Sequence, residues 1–424
     1  MRNANAQFVS AWTLALVLGA CAGRDTDLST SPLITVAADL HMHHVCPAGR
    51  LSSAELLDRM DQEEIDVGAV LVAAQNHGES VDRFDGRDDP ASRPGRILHD
   101  DLEVSGFPAA GFGHLVVLGL ESIRFPTDAR TLRTVIAWAP PSAVVGYAHG
   151  WAWPAEGYPR PGAHGIANCC IPFSFPIDLT TGRVTFLAEE LADHNARDLT
   201  TFDGGPLTVG TSTLWRTAMN SGYRIALTGG SDIICLNDTV GSPRTLALVE
   251  GPISYRATLD AVRRGRTAVA SIKGHRLDMK VDGARLGDDV ALAVPGTVDV
   301  VVSRQPPAPV EILVNGAVVK TLRDDEDRIS VPISKSSWVA ARTRRVQTSA
   351  ITVTVGGRPI RASADDTCFL ARYVDYLRAL AEAAPRPESQ LWLGAERDRT
   401  LASYEASKRE LLLRFREAGG ERCE

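Results

Sequence analysis

An apolar run, Leu33 to Ala38, leads directly into Asp39-Leu-His41-Met-His43-His44. In an extended segment, residues i and i+2 point to the same face. His41 and His43 therefore project together from a strand end, with Asp39 on the same side. Two imidazoles on one face can grip one metal ion. Comparable strand-end positions carry His77, Glu103, His114, His149 and Asp232. All ten histidines lie between His41 and His275, so the candidate chemistry belongs to the first part of the chain.

The pattern around these residues is β–α alternation. Candidate strands are 33–38, 67–73, 115–120, 143–148, 184–188, 224–227 and 245–249. Helices are expected at 53–65, with an N-cap serine and Leu56, Leu57 and Met60 at helical spacing, and at 213–221 and 255–264. Such alternation points to a parallel sheet or barrel over 33–272. In barrel enzymes, residues at the C-terminal ends of different strands converge on one site. After Lys273 the chain turns to short Val- and Ile-rich runs, with a hairpin signal at Asn315-Gly316. This predicts an antiparallel β-sandwich over 273–365. From Asp366 to the end the spacing is helical: Phe369, Tyr373, Tyr376 and Leu377 share one face, Leu401, Tyr404, Leu411 and Leu412 another, and Pro385 and Pro387 separate the two helices. The fold class expected is thus α/β, followed by a small sandwich and a helical pair. A length of 424 residues, 44% of them hydrophobic, is enough for a substantial core in two domains. The net charge of −7, with no long basic block, argues against a nucleic-acid partner.

The N-terminus reads as an export signal. Arg2 precedes a mostly apolar run from Phe8 to Ala20. The run ends in Leu18-Gly19-Ala20-Cys21, which resembles a bacterial lipobox, with residues 1–21 as signal and 22–32 as a polar tether. Lipidation of Cys21 would anchor the protein to a membrane in the bacterial cell envelope. Ala20-Cys21-Ala22 also fits a plain cleavage site, which leaves a secreted or periplasmic protein open. Six further cysteines allow 15 pairings. Cys368 with Cys423 would close the C-terminal segment. Cys46 and Cys235 lie near the ligand motifs and read as buried or disulfide-bonded, with soft metal ligation as the alternative.

The ordered series Asp39-Leu-His41-Met-His43, Glu103 with Gly113-His114, Tyr147-Ala-His149, Thr228-Gly-Gly-Ser-Asp232 and Gly241-Ser-Pro-Arg244 resembles the PHP superfamily (polymerase and histidinol phosphatase) and, more narrowly, the CehA/McbA group of metallohydrolases. The resemblance implies a distorted (β/α)7 barrel. It implies one ion held by His41, His43, Glu103 and Asp232, and a second by Glu103, His114 and His149, with Glu103 bridging. Histidine with carboxylate suits Zn, Mn or Fe. A third ion in that superfamily needs three more histidines. At those places this chain has Gly49 or a neighbour, the histidine of Gln75-Asn76-His77, and Ile234. His77 is therefore expected as an outer partner or a structural residue, and two ions rather than three. The reading that follows is an exported metal-dependent hydrolase acting on a small ester, carbamate, amide or phosphoester. Asp232 would accept a proton from water, and Arg244 or His44 would stabilise developing negative charge, against a purely structural role for Arg244. Phosphomonoesterase or phosphodiesterase activity is the enzymatic alternative. A non-catalytic metal- or ligand-binding envelope protein is the alternative from another class.

Lipidation at Cys21 has a direct test. Mass spectrometry of the mature N-terminus should find a lipidated Cys21, and Cys21→Ser should release the protein from the membrane fraction. An unmodified N-terminus at another residue would establish ordinary secretion.

Overall fold

A computed structural model describes residues 33–46, 49–74, 86–104, 114–121, 132–148, 175–189, 200–201, 208–209, 211–235, 238–383 and 394–423. Cys21 with its leader, His77 and His149 lie outside them. The architecture is mixed α/β. The first strand, β1 (Leu33–Met42), lies in the middle of a long sheet. To one side of it, in order, lie β2 (Val67–Ala74), β3 (Ile97–Val104), β4 (His114–Leu118), β5 (Val144–Ala148), β6 (Val184–Glu189) and β7 (Ala226–Gly229). To the other side lie β8 (Arg244–Glu250) and β9 (Thr267–Ala270). The nearly unbroken apolar runs of β2 and β5 suit strands buried on both faces.

Helix α1 (Ser53–Glu63) starts at Ser52, whose side chain forms a capping box with Glu55. It buries Leu56, Leu57 and Met60 against Met42, Val70 and Leu98. Helices α2 (Leu132–Trp138) and α3 (Thr211–Asn220) connect later strands. Helix α4 (Tyr255–Arg264) is capped by Ser254 and ends at the left-handed Gly265. Its Tyr255, Leu259 and Val262 pack with Val36, Val67, Val116 and Val249 from several strands. The Tyr255 hydroxyl donates to Asp101, and His99 stacks on the Tyr255 ring with centroids 4.0 Å apart.

Strand directions depart from a uniform β/α alternation. Pairs β1–β2, β2–β3, β5–β6 and β6–β7 are parallel, whereas β3–β4, β4–β5, β1–β8 and β8–β9 are antiparallel. Chain length explains the first reversal. Only residues 105–113 separate β3 from β4, fewer than the dozen or so that a parallel crossover needs. Strand β3 itself is absent from the expected strands, because His99-Asp100-Asp101 interrupts its apolar pattern. Its period of two is nonetheless real: Leu98 and Leu102 join apolar clusters on one face, and His99, Asp101 and Glu103 occupy the other.

The sheet curls until β7 meets β8 and β9, and side-chain hydroxyls close the seam. Thr245 Oγ1 accepts from the Gly229 amide (2.7 Å) and donates to the Gly229 carbonyl (2.9 Å). The Leu227 amide donates to Ser349 Oγ (2.9 Å), and Thr267 Oγ1 donates to the Leu227 carbonyl (2.7 Å). These bonds satisfy backbone groups that a strand ladder would otherwise pair. The seam is tight: a Cβ at Gly229 would stand 2.7 Å from the Arg244 carbonyl carbon.

The longer strands that follow include β10 (Arg276–Val281), β11 (Gly296–Gln305), β12 (Val310–Val314), β13 (Ala317–Leu322), β14 (Arg328–Ile333), β15 (Ser337–Arg342), β16 (Val346–Thr348) and β17 (Ile351–Val355). Asn315 and Gly316, both at positive φ, turn β12 into β13. The long sheet does not stop near residue 272. It continues from β9 through β16, β15, β12 and β13, and β17 pairs with β15. A separate sheet of β10, β11, β14 and Ala284–Arg285 shares an apolar cluster with it, including Met279, Val300, Ile312, Val339 and Val353. A Cys368–Cys423 disulfide joins helix α5 (Ala364–Ala383) to the segment after helix α6 (Gly394–Glu417), and Leu370, Tyr373, Tyr404 and Leu411 of the two helices cluster with Trp215 and Trp338. Among the described residues no helix is long and apolar enough to cross a membrane.

Gly229→Ala is expected to destabilise the protein by about 1–3 kcal/mol, because the new methyl meets backbone that cannot yield. Gly296→Ala, whose Cβ would meet nothing nearer than 3.8 Å, should stay within about 0.5 kcal/mol of the parent. Denaturant unfolding of both variants tests the seam. Equal midpoints would show that β7 does not pack against β8 as described.

Candidate metal centre

Strand β1 and the residue that follows it deliver Asp39, His41 and His43 as a row. All three are buried, but they divide the work. Asp39 is a clamp and not a ligand. Its Oδ1 accepts from the amides of His41 (3.1 Å) and Ser231 (2.9 Å), and its Oδ2 from Ser231 Oγ (2.5 Å) and the Gly241 amide (2.7 Å). Burial pushes this carboxyl above the usual carboxylate range, and the hydrogen bonds from Ser231, Gly241 and His41 pull it back. The clamp binds the end of β1 to the turn after β7. Two backbone bonds complete the join: the Asp232 amide donates to the His41 carbonyl (2.7 Å), and the His43 amide to the Ile233 carbonyl (2.7 Å). A Cβ at Gly230 would sit 2.5 Å from that of His41, so the turn needs a residue without a side chain there. Asp232 itself is left-handed, at φ 50°.

This turn carries the Asp232 carboxylate to the two imidazoles. His41 Nε2 and His43 Nε2 lie 3.0 Å apart. Asp232 Oδ1 lies 3.6 Å from the first and 3.2 Å from the second. Glu103 Oε2, from the end of β3, lies 3.5 Å and 3.2 Å from the same atoms. Ligand atoms arranged tetrahedrally at about 2.0–2.1 Å from one point stand about 3.3–3.4 Å from each other. The donor atoms of His41, His43 and Glu103 come close to this spacing, and imidazole with carboxylate suits a divalent transition-metal ion. The Leu71 carbonyl accepts from His43 Nδ1 (2.8 Å). That places the proton on Nδ1 and turns the Nε2 lone pair toward the cluster.

Glu103 divides its two oxygens. Oε2 faces His41 and His43, while Oε1 lies 2.5 Å from His114 Nδ1 at the start of β4. His114 is partly buried, and Glu103 is 3% exposed rather than a surface acid. The structure thus gathers His41, His43 and Glu103 into one group, with Asp232 beside the two imidazoles and His114 on the other oxygen of Glu103. His149 and His77 lie outside the described residues.

Arg244 faces α1 and the Gly241 segment. It is buried, donating from Nη1 to the Glu63 carbonyl (2.6 Å), from Nη2 to the Glu63 carboxylate (3.1 Å) and from Nε to the Gly241 carbonyl (2.7 Å). Its guanidinium ties the end of α1 to the segment that Asp39 also holds. Cys46 and Cys235 are joined to each other in a disulfide, so neither is a soft ligand. The bridge fastens the segment after His43 to the segment after Asp232. The sequence reading missed the clamp role of Asp39 and the Leu71 carbonyl. The Ser231 hydroxyl opposite Asp39 is the signal for the first, and a main-chain acceptor leaves no signal for the second.

No protein-family model matches the chain, and no curated protein matches it. Among solved structures it is similar to a two-domain protein from Bacteroides vulgatus ATCC 8482, described as containing a predicted PHP-like metal-dependent phosphoesterase. The two share 12% identity at a TM-score of 0.40, over 76% of this chain and 95% of that one.

Burial pulls the His43 imidazole toward its neutral form, but the Asp232 and Glu103 carboxylates outweigh it and raise the group from 6.5 to about 9 in the metal-free protein. A raised histidine stabilises the metal-free fold fully below pH 6.5, and that contribution is lost as pH rises through 9. An incoming ion must displace the proton. Apparent metal affinity should therefore rise about tenfold per pH unit between 6.5 and 9, while the unfolding midpoint of chelator-treated protein falls over the same range. Competition titrations that find affinity flat with pH would contradict the protonated site.

Proposed function

We propose that the chain is a metal-dependent hydrolase of the PHP type, related to the CehA/McbA group, in which His41, His43, Glu103 and Asp232, with His114 and His149, would hold two divalent ions of Zn, Mn or Fe. The observation that carries this reading is the split Glu103 carboxylate, one oxygen toward His41 and His43 and the other toward His114. His149 completes the second ligand set. Ions so held supply positive charge that acidifies water toward neutral pH and polarises a substrate oxygen.

The chain's own residues do the rest. His43 is oriented by the Leu71 carbonyl. Asp232 is aimed by a turn that Asp39 clamps, and its carboxylate accepts the proton from the attacking water. His114 holds the far oxygen of Glu103. The substrate is a small ester, carbamate, amide or phosphoester. Commitment of Arg244 to Glu63 removes one cation that would clamp a phosphate, which favours an uncharged acyl or carbamoyl group over a phosphate monoester. Two disulfides among the described residues support export to an oxidising compartment, in keeping with the lipobox at Cys21 and a lipid-anchored envelope protein.

The experiment is a panel of aryl esters, carbamates, amides and phosphodiesters with Zn- or Mn-loaded protein, followed by Asp232→Asn on whichever substrate turns over. The variant keeps the size of the side chain but not its charge, and the rate should fall about 10²–10⁴-fold. Parent rates from a folded, metal-loaded variant would remove Asp232 from the mechanism. No turnover across the panel with two ions bound would make the chain a binding protein.

A further inference from the structure

A second set of metal-ligating side chains lies outside the centre described above. His44, Asp89 and Asp100 each offer one ligand atom, and these atoms all lie within 4.8 Å of one another. They come from three segments: the residue after His43, the loop before β3, and β3 itself. Asp100 and Glu103 are three residues apart on one strand, so their side chains leave opposite faces. The set is therefore not an extension of the Glu103 site.

Three features distinguish it from a chance grouping of surface acids. His44 Nδ1 is engaged by the Leu51 carbonyl at 2.8 Å, which leaves its Nε2 lone pair for a ligand. Asp89 is held in place: its amide donates to the Leu98 carbonyl (2.8 Å), and its carboxylate accepts from Ser53 Oγ and the Ala91 amide, both at 2.7 Å. Asp100 Oδ1 is shut off from solvent and has no hydrogen-bond partner. Among the described residues no lysine or arginine pairs with Asp89 or Asp100. Two carboxylates, one with a buried unbonded oxygen, thus share a partly buried site with an imidazole and no fixed cation. Burying such charge without a counter-charge is costly. Burial and the neighbouring Asp89 accordingly push the Asp100 carboxyl upward, while His44 opposes the rise.

We infer that His44, Asp89 and Asp100 form a separate binding site for one borderline divalent cation, Mn2+ or Zn2+. One nitrogen and two carboxylate oxygens match that class of ion, and water would complete the shell. The ion would pin the segment after β1 to β3 beside the N-terminus of α1. It acts as a structural staple, next to the principal centre in sequence but on the other face of β3.

The test uses the full chain, stripped with chelator and titrated with Mn2+ and with Zn2+. The parent should bind one more ion than Asp100→Asn, or bind that ion at least about tenfold more tightly. In a Glu103→Ala background, which removes the principal centre, one stoichiometric ion should remain. It should vanish in Glu103→Ala combined with Asp89→Asn and Asp100→Asn. If Glu103→Ala does not fold, the comparison of parent with Asp100→Asn decides alone. Equal stoichiometry and affinity in those two proteins would overturn the site, as would a folded Glu103→Ala that binds no ion. Loss of this ion with hydrolysis intact, or the reverse, separates this site from the proposed activity.

Discussion

A single buried carboxylate organises the molecule. Asp39 accepts from its near neighbour His41 and from Ser231 and Gly241, which lie some 190 to 200 residues further along the chain and meet it only when the sheet curls. It joins the end of β1 to the turn after β7, together with the backbone bonds from Asp232 to His41 and from His43 to Ile233. With it, Asp232 is carried to His41 and His43, and the segment leading into β8 is drawn in behind. Arg244 extends the same anchor to α1 through Glu63, and the Cys46–Cys235 disulfide ties its outer edge. One clamp, one ion pair and one covalent bridge converge on the same two segments. That concentration is what a preorganised ligand set requires, because each donor must be held while like charges gather around it.

The sheet follows from this closure. A curled sheet must meet itself somewhere, and here it meets along a strand too short for a full ladder. Thr245, Thr267 and Ser349 replace backbone partners with hydroxyls, and Gly229 permits the approach. Past the seam the same sheet runs on into β16, β15 and β12, so the parts with and without histidines are built on one continuous hydrogen-bonded frame. Trp338 of β15 donates to Asn220 at the end of α3 (2.7 Å), which locks that frame to the helices.

On this scaffold the strand β3 does two things at once. Its inner face carries His99, Asp101 and Glu103, with Tyr255 of α4 packed against the first two. Its outer face carries Asp100 toward His44 and Asp89. A strand read by hydrophobicity alone looks like a loop when polar residues serve both faces. The same alternation makes it the element on which two sites can stand back to back.

Local patterns in the chain already determined much of this. The run 33–38, the capped helix at Ser52, the helix 255–264 and the Asn315-Gly316 hairpin are all set by neighbours in sequence, through period, caps and turn residues. The spacing Asp39-x-His41-x-His43 likewise places two imidazoles on one face by geometry that acts over five residues. Other features had to wait for the tertiary structure. The pairing of Cys46 with Cys235, the clamp role of Asp39 and the burial of Arg244 against Glu63 depend on contacts between segments some 180 to 200 residues apart, and the seam at β7 depends on the curl of the sheet that brings Thr245, Thr267 and Ser349 to one strand. A sequence records which groups can donate and accept. Which of them meet is decided by how the apolar faces pack, and only then is it settled whether a buried carboxylate faces a metal site or an amide.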